Sequence, residues 1–91
     1  MVIKALKKEF EIKDIRYADR RKLHRLNVKT FSRKEIDFEF YYDLLEFALG
    51  VAFDDKEKSL KNYSDVEIDE IAQAVVVAYL NPKKKMNGSS D

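Results

Sequence analysis

The sequence predicts a small, mainly α-helical domain of about three helices, with a short N-terminal β element and a disordered C-terminal tail. Two apolar runs with helical spacing predict the second and third helices, and an alternation of polar and apolar residues near the N-terminus predicts a strand. The chain has 91 residues with only two glycines and one proline, which favours one domain of mostly regular structure. We place that domain at residues 1–81 and the tail at residues 82–91.

The β element is expected within residues 2–13. Phe10 and Ile12 alternate with charged residues, so both side chains lie on one face of a half-buried strand. A lone strand would leave its backbone groups unpaired, so a second strand is required. That strand can come from residues 2–6, from residues 27–38 or from another subunit.

The first helix is expected over residues 17–27. Leu23 and Leu26 give it a weak apolar stripe, and Asp19 in its first turn suits the positive end of the helix dipole. Asn27 is of a residue type that can end a helix.

The second helix is expected over residues 34–52 and is the most informative segment of the chain. Ser32 and Glu35 have the spacing of a capping box that would start it. From position 38 to position 53, the residues outside the apolar set are Glu39, Asp43, Glu46 and Gly50. At about 100° per residue these positions cover only roughly 60° of the helix surface. A helix that is apolar over so much of its surface is normally buried on several sides or bound to a partner.

We interpret this apolar surface as a protein-binding surface, because a chain of this length has little other structure to cover it. Recognition of a helix in a groove uses aromatic and aliphatic anchors of this kind. The candidate protein-binding residues are Phe38, Phe40, Tyr41, Leu44, Leu45, Phe47 and Leu49. The alternative is that the other helices and the strand cover all of them as an ordinary core. The segment is too short and too acidic to span a membrane.

The third helix is expected over residues 64–81. Ser64 and Glu67 form a capping box in front of an apolar run, and Pro82 stops the helix. The face expected to pack on the second helix consists of Ile68, Ile71, Val75 and Tyr79. The intervening residues 54–61 are polar, which predicts a loop or a short helical turn.

No residue pattern indicates catalysis, a metal site or a cofactor. The chain has no cysteine, which excludes disulfides and thiolate metal sites. His24 is the only histidine, and no serine or cysteine nucleophile is near it in sequence, which is typical of a solvated helix residue. Glycine-rich phosphate loops and paired histidines are also missing. We therefore expect a non-enzymatic protein without cofactors, located in the cytoplasm because no secretion signal or membrane span is evident.

Charge is distributed unevenly along the chain. Residues 1–34 carry a net charge of +8 and residues 35–81 a net charge of −9. A basic cluster in the first helix is a candidate for phosphate contacts and comprises Arg16, Arg20, Arg21, Lys22 and Arg25. The two halves can instead face each other, within one subunit or between neighbours. We favour this interpretation over nucleic-acid binding because the acidic half nearly cancels the long-range attraction to phosphate.

The order of segments resembles that of a known family. A charged strand runs into DIRYADRRKLHRL, followed by the acidic, aromatic-rich YYDLLEFAL and then by LKNYSDVEIDEIAQAVVVAYL. Over residues 8–80 this arrangement resembles the small tail assembly chaperones of long-tailed bacteriophages. The resemblance implies a mainly helical, self-associating, non-enzymatic protein that coats the long helical tape-measure protein and helps recruit tail-tube subunits.

Many members of that family are made in two lengths through a translational frameshift. An A-rich run encoding Lys83 to Lys85 would suit such a slip, although these lysines equally suit a solvated tail.

Two other functions remain open. The apolar helix can instead form a permanent homo-oligomer in a structural virion or host protein without a client. The basic segment can instead belong to a small nucleic-acid-binding regulator. A chaperone predicts an exchangeable oligomer, a structural protein a fixed assembly, and a regulator salt-sensitive retention of nucleic acid. No contact with a membrane is expected.

Overall fold

The computed structural model describes residues 1–32 and 34–81, and the predicted tail at 82–91 lies outside them. The predicted fold class is confirmed, because the structure is mainly helical with one short N-terminal sheet. Its elements are β1 (Val2–Ala5), β2 (Lys8–Glu11), α1 (Tyr17–Thr30), α2 (Phe38–Ala52), α3 (Lys56–Ser59) and α4 (Asp65–Leu80).

The β element is an antiparallel hairpin, so the second strand comes from the N-terminal segment itself. Its register runs from Val2 opposite Glu11 to Ala5 opposite Lys8. Leu6 and the following lysine connect the strands, with φ angles of 55° and 61°. Two successive left-handed residues are the signature of a tight hairpin turn whose twist matches that of the strands. Leu6 packs against the core, which explains why a large residue occupies a position where glycine or asparagine is common.

α1 is one turn longer than predicted, and the expected end at Asn27 is wrong. The Asn27 carbonyl instead accepts a hydrogen bond from the Phe31 N–H group. Thr30 is fully buried, and its hydroxyl donates to the Leu26 carbonyl at 2.8 Å. Burial of this last turn against the rest of the domain therefore overrides the local tendency of asparagine to end a helix.

α2 begins four residues later than predicted, and the capping box of Ser32 and Glu35 is absent. Asp37 is the N-cap residue, and its carboxylate accepts the N–H groups of Glu39 and Phe40 at 3.1 and 3.4 Å. The Ser32 hydroxyl instead donates to the carbonyl of Lys29 at the end of α1. The residues between the helices must reverse the chain direction, so they are not free to continue α2 backwards. The predicted end of α2 at residue 52 is confirmed.

α4 is confirmed with its capping box. The Glu67 N–H group donates to the Ser64 hydroxyl at 3.2 Å, and the Ser64 N–H group donates to the Glu67 carboxylate at 2.9 Å. α3 is a single helical turn inside the segment predicted as a loop or a short turn. Together these elements bring the chain back so that α4 packs against α2.

The core lies between α2 and the elements on either side of it. α2 packs against both α1 and α4, and β1 packs against α4. Of the α4 residues predicted to pack on the second helix, Ile71, Val75 and Tyr79 are buried in the core, each at most 1% exposed, while Ile68 is half-buried at its edge. From β1 the core takes Ile3.

Candidate protein-binding groove

An open groove of about 440 Å³ lies where the end of α1, the described residues between the helices (31, 32 and 34–37, which we call the linker), the first half of α2 and one face of α4 meet. We call it the apolar groove. Its floor consists of the buried side chains Leu44, Leu45 and Val76. Its rim includes Phe31, Ile36, Phe38 and Val77, which are 43–57% exposed.

The rim is the notable part of this surface. Single exposed hydrophobic residues are ordinary on a soluble protein, but a contiguous apolar patch around a groove is typical of an interaction site. The linker is fixed at its base because the Asp37 N–H group donates to the Thr30 carbonyl at 2.9 Å. Phe31 and Ile36, inside that linker, are thereby held near Phe38 on α2.

Polar groups cross one side of the groove. The Gln73 amide on α4 donates to the Tyr41 hydroxyl on α2 at 2.6 Å. The ring of Tyr41 also meets the ring of Phe38 edge to face, with centroids 6.1 Å apart. These contacts hold Tyr41 half-buried and leave Phe38 the more exposed ring.

The structure divides the seven predicted binding residues into three groups. Leu44, Leu45 and Leu49 are 2–4% exposed, so they belong to the core; Leu44 and Leu45 also form the floor of the apolar groove, whereas Leu49 does not line it. Of the other four, Phe38 and Tyr41 also line the apolar groove. The expectation that the apolar surface of the second helix is not completely buried is confirmed, because Phe38 and the neighbouring Tyr42 are more than half exposed.

The third group, Phe40 and Phe47, does not line the groove but faces α1. The Lys29 ammonium lies 5.4 Å from the ring centroid of Phe40, and the Lys22 ammonium lies 4.8 Å from that of Phe47. Lys22 and Lys29 are seven residues apart on α1, and Phe40 and Phe47 are seven residues apart on α2. The earlier lysine contacts the later phenylalanine, as expected for two antiparallel helices. Two lysines of the basic helix therefore cover the half-buried aromatic flank of the acidic helix.

Other side chains of the basic cluster in α1 also have partners within the chain. Arg20 donates to the Tyr79 carbonyl at the end of α4, at 3.3 Å. Arg21 donates to the Tyr17 hydroxyl at 2.8 Å, and Arg16 lies 3.7 Å from the Asp19 carboxylate. Of these contacts, that of Arg20 reaches the acidic half, where its partner is a backbone carbonyl, while those of Arg21 and Arg16 stay within the basic half.

Sequence reasoning missed three of the rim residues, namely Phe31, Ile36 and Val77. Phe31 and Ile36 lie on either side of the predicted capping box of Ser32 and Glu35. Had this segment been predicted as a linker instead of a helix start, both side chains would have been expected at the surface. Val77 falls within the apolar run of α4, but at about 100° per residue it lies roughly 200° around the helix from Val75. Helical spacing therefore places it off the buried face, and this signal could have identified it.

In the described part of the chain, no helix has both the length and the apolar character needed to cross a bilayer. Within those same residues, no group of three histidine, aspartate or glutamate side chains is placed to hold a metal ion. Comparisons with protein-family models, curated proteins and solved structures find no match to this chain.

Proposed function

We propose that this chain is a non-enzymatic assembly chaperone that binds an apolar helical segment of a client protein. The observation that carries the proposal is the apolar groove, with its exposed rim of Phe31, Ile36, Phe38 and Val77. The resemblance noted in the sequence suggests the client class, a tape-measure protein of a long-tailed bacteriophage, with tail-tube subunits as further partners.

The groove suits a helix for a physical reason. An amphipathic helix presents apolar side chains at spacings of three and four residues along one face, and such a ridge fits a groove with an aliphatic floor and aromatic rim. Leu44, Leu45 and Val76 supply the floor, while Gln73 and Tyr41 supply polar groups at the edge that fix orientation. A tape-measure protein exposes long apolar helical surface, so covering it would keep the client soluble.

The test first asks whether a long helical reading frame adjoins this gene, and then coexpresses that reading frame with this chain and measures the soluble client. We expect the wild-type chain to keep that client soluble and to copurify with it. Phe38→Asp should abolish both effects while leaving the melting temperature nearly unchanged, because Phe38 is already 57% exposed. The matched control is Val66→Asp, since Val66 is 76% exposed and does not line the groove.

If Phe38→Asp and Val66→Asp lost client binding equally, the apolar groove would not be the binding site. Retention of client by Phe38→Asp and by Ile36→Asp would overturn the proposal. A further variant, Leu45→Asp, should unfold the chain, since it buries a charge in the core. If the chain neither binds nor solubilises that client, the alternative of a structural homo-oligomer takes precedence.

A further inference from the structure

The free edge of strand β1 is oriented for pairing. Met1 and Ile12 exchange both backbone hydrogen bonds, at 2.8 and 2.9 Å. Hydrogen-bonded and non-hydrogen-bonded pairs alternate along an antiparallel ladder, so Ile3 pairs with β2 in the same way. The N–H and C=O groups of Val2 and Lys4 therefore point away from β2. Within residues 1–32 and 34–81, neither backbone makes a hydrogen bond to another element.

A second groove, of about 470 Å³, runs between this edge and α4. We call it the strand-edge groove. Its α4 side is formed largely by small or half-exposed side chains, including Ala74, Val77 and Ala78. Val2 on the strand side and Val77 on the helix side are each 54% exposed. The small alanines leave room for another backbone beside β1.

We propose that β1 pairs antiparallel with β1 of a second copy of this chain about a twofold axis. Val2 of one copy then lies opposite Lys4 of the other, and Ile3 lies on the axis. The outward N–H and C=O groups of both residues are satisfied reciprocally, as in an isologous interface. The two hairpins become one four-stranded sheet, with the helices of both copies on one face. This arrangement stabilises a hairpin that has only four residues per strand.

The charge of Lys4 and the length of β1 favour this register over its neighbours. Lys4 lies opposite Glu9 in its own hairpin, and Val2 lies opposite Glu11. Across the sheet the order becomes Glu9, Lys4, Val2 of the second copy, Glu11 of the second copy. A slip by two residues in one direction would set the two Lys4 side chains directly opposite each other, which is destabilising. A slip by two residues in the other direction would leave Val2 as the one residue of β1 that lies opposite the second β1.

The test measures the dimer dissociation constant by sedimentation with variants that differ only in the strand edge. Lys4→Pro removes an outward N–H group without breaking the hairpin ladder, because edge strands tolerate proline there. We expect it to raise the dissociation constant about tenfold or more. The matched control is Glu9→Pro, which removes an outward N–H group from the opposite edge of the same hairpin and should leave the dimer unchanged.

A second variant tests the same contact without introducing a proline, which could disturb folding. Val2→Lys places a new ammonium group opposite Glu11 in its own chain, but opposite Lys4 of the second copy. It should preserve the melting temperature of the monomer and still weaken the dimer. A wild-type chain that stays monomeric, or equal dimerisation of the two proline variants, would overturn the proposal.

The two grooves share Val77, but Phe38 lines only the apolar groove and Lys4 only the strand-edge groove, so variants at these two residues separate the proposals. Phe38→Asp should leave the dimer intact, and its loss in that variant would place the dimer contact at the apolar groove instead. Lys4→Pro should retain client binding. Failure of either proposal is therefore distinguishable from failure of the other.

Discussion

At the scale of single residues, Tyr79 shows how one side chain joins distant parts of the chain. Its ring is 1% exposed in the core. Its hydroxyl donates to the Lys13 carbonyl in the segment after β2, and its own carbonyl accepts from Arg20 on α1. One residue therefore ties the end of α4 to both the hairpin and the first helix.

Tyr79→Phe should lower the free energy of unfolding by about 1–3 kcal/mol, because it leaves the Lys13 carbonyl without its donor. Burial, with a further contribution from the Asp14 carboxylate, raises the pKa of Tyr79 from 10.0 to about 12. The folded chain thus holds this proton more tightly than the unfolded chain. The resulting stabilisation is complete below pH 10 and is lost as the pH rises towards 12. Urea unfolding of both proteins should show their difference shrinking over that interval, and a constant difference would contradict the assignment.

At the scale of elements, the antiparallel pair of α1 and α2 is organised by its linker. The linker closes with the hydrogen bond from Asp37 to Thr30, and α2 starts immediately afterwards. This geometry turns Phe38 outwards in the first turn of α2 and sends Leu44 and Leu45 into the core. The start of the helix therefore determines which aromatic residues form the rim of the apolar groove.

Asp37→Ala should lower the free energy of unfolding by about 0.5–2 kcal/mol, because the carboxylate satisfies N–H groups in the first turn of α2. Ser32→Ala removes a hydroxyl that serves the end of α1 instead, so its effect on α2 should be small. Chemical denaturation of the two variants measures the difference. A larger loss of unfolding free energy for Ser32→Ala than for Asp37→Ala would instead indicate that Ser32 caps α2, as the sequence predicted.

At the scale of the whole molecule, charge separation along the sequence becomes contact within the fold. Lys22 and Lys29 lie over aromatic rings of α2, Arg20 reaches the end of α4, and Lys13 pairs with Asp54 at 2.8 Å. The basic segment is thus held beside the acidic half, and the chain as a whole has a net charge of only +1. This arrangement disfavours strong binding to phosphate backbones.

The whole chain should therefore bind nucleic acid only weakly and at low salt. We expect no retention of duplex DNA or single-stranded RNA at about 150 mM salt, where non-specific affinities are typically far weaker than submicromolar. Fluorescence anisotropy across a salt series measures this. Submicromolar binding at that salt concentration would instead favour a regulator that uses the basic cluster of α1.

The sequence by itself determined the features whose signals are local. The capping box at Ser64 and Glu67 fixed the start of α4, and the apolar extent of residues 38–52 established a helix too apolar to remain exposed. Alternation around Phe10 was enough to predict a strand. These features follow from contacts between residues close in the chain, so spacing and residue type suffice to predict them.

Tertiary structure alone decided which part of the apolar surface stays open. Leu45 and Phe38 are both apolar residues of α2, yet Leu45 is 3% exposed and Phe38 is 57% exposed. The left-handed turn at Leu6 and the N-cap at Asp37 likewise depend on packing and on chain reversal. Such choices depend on which distant segment reaches a given face, and a periodic pattern shows that a face is apolar without showing what covers it.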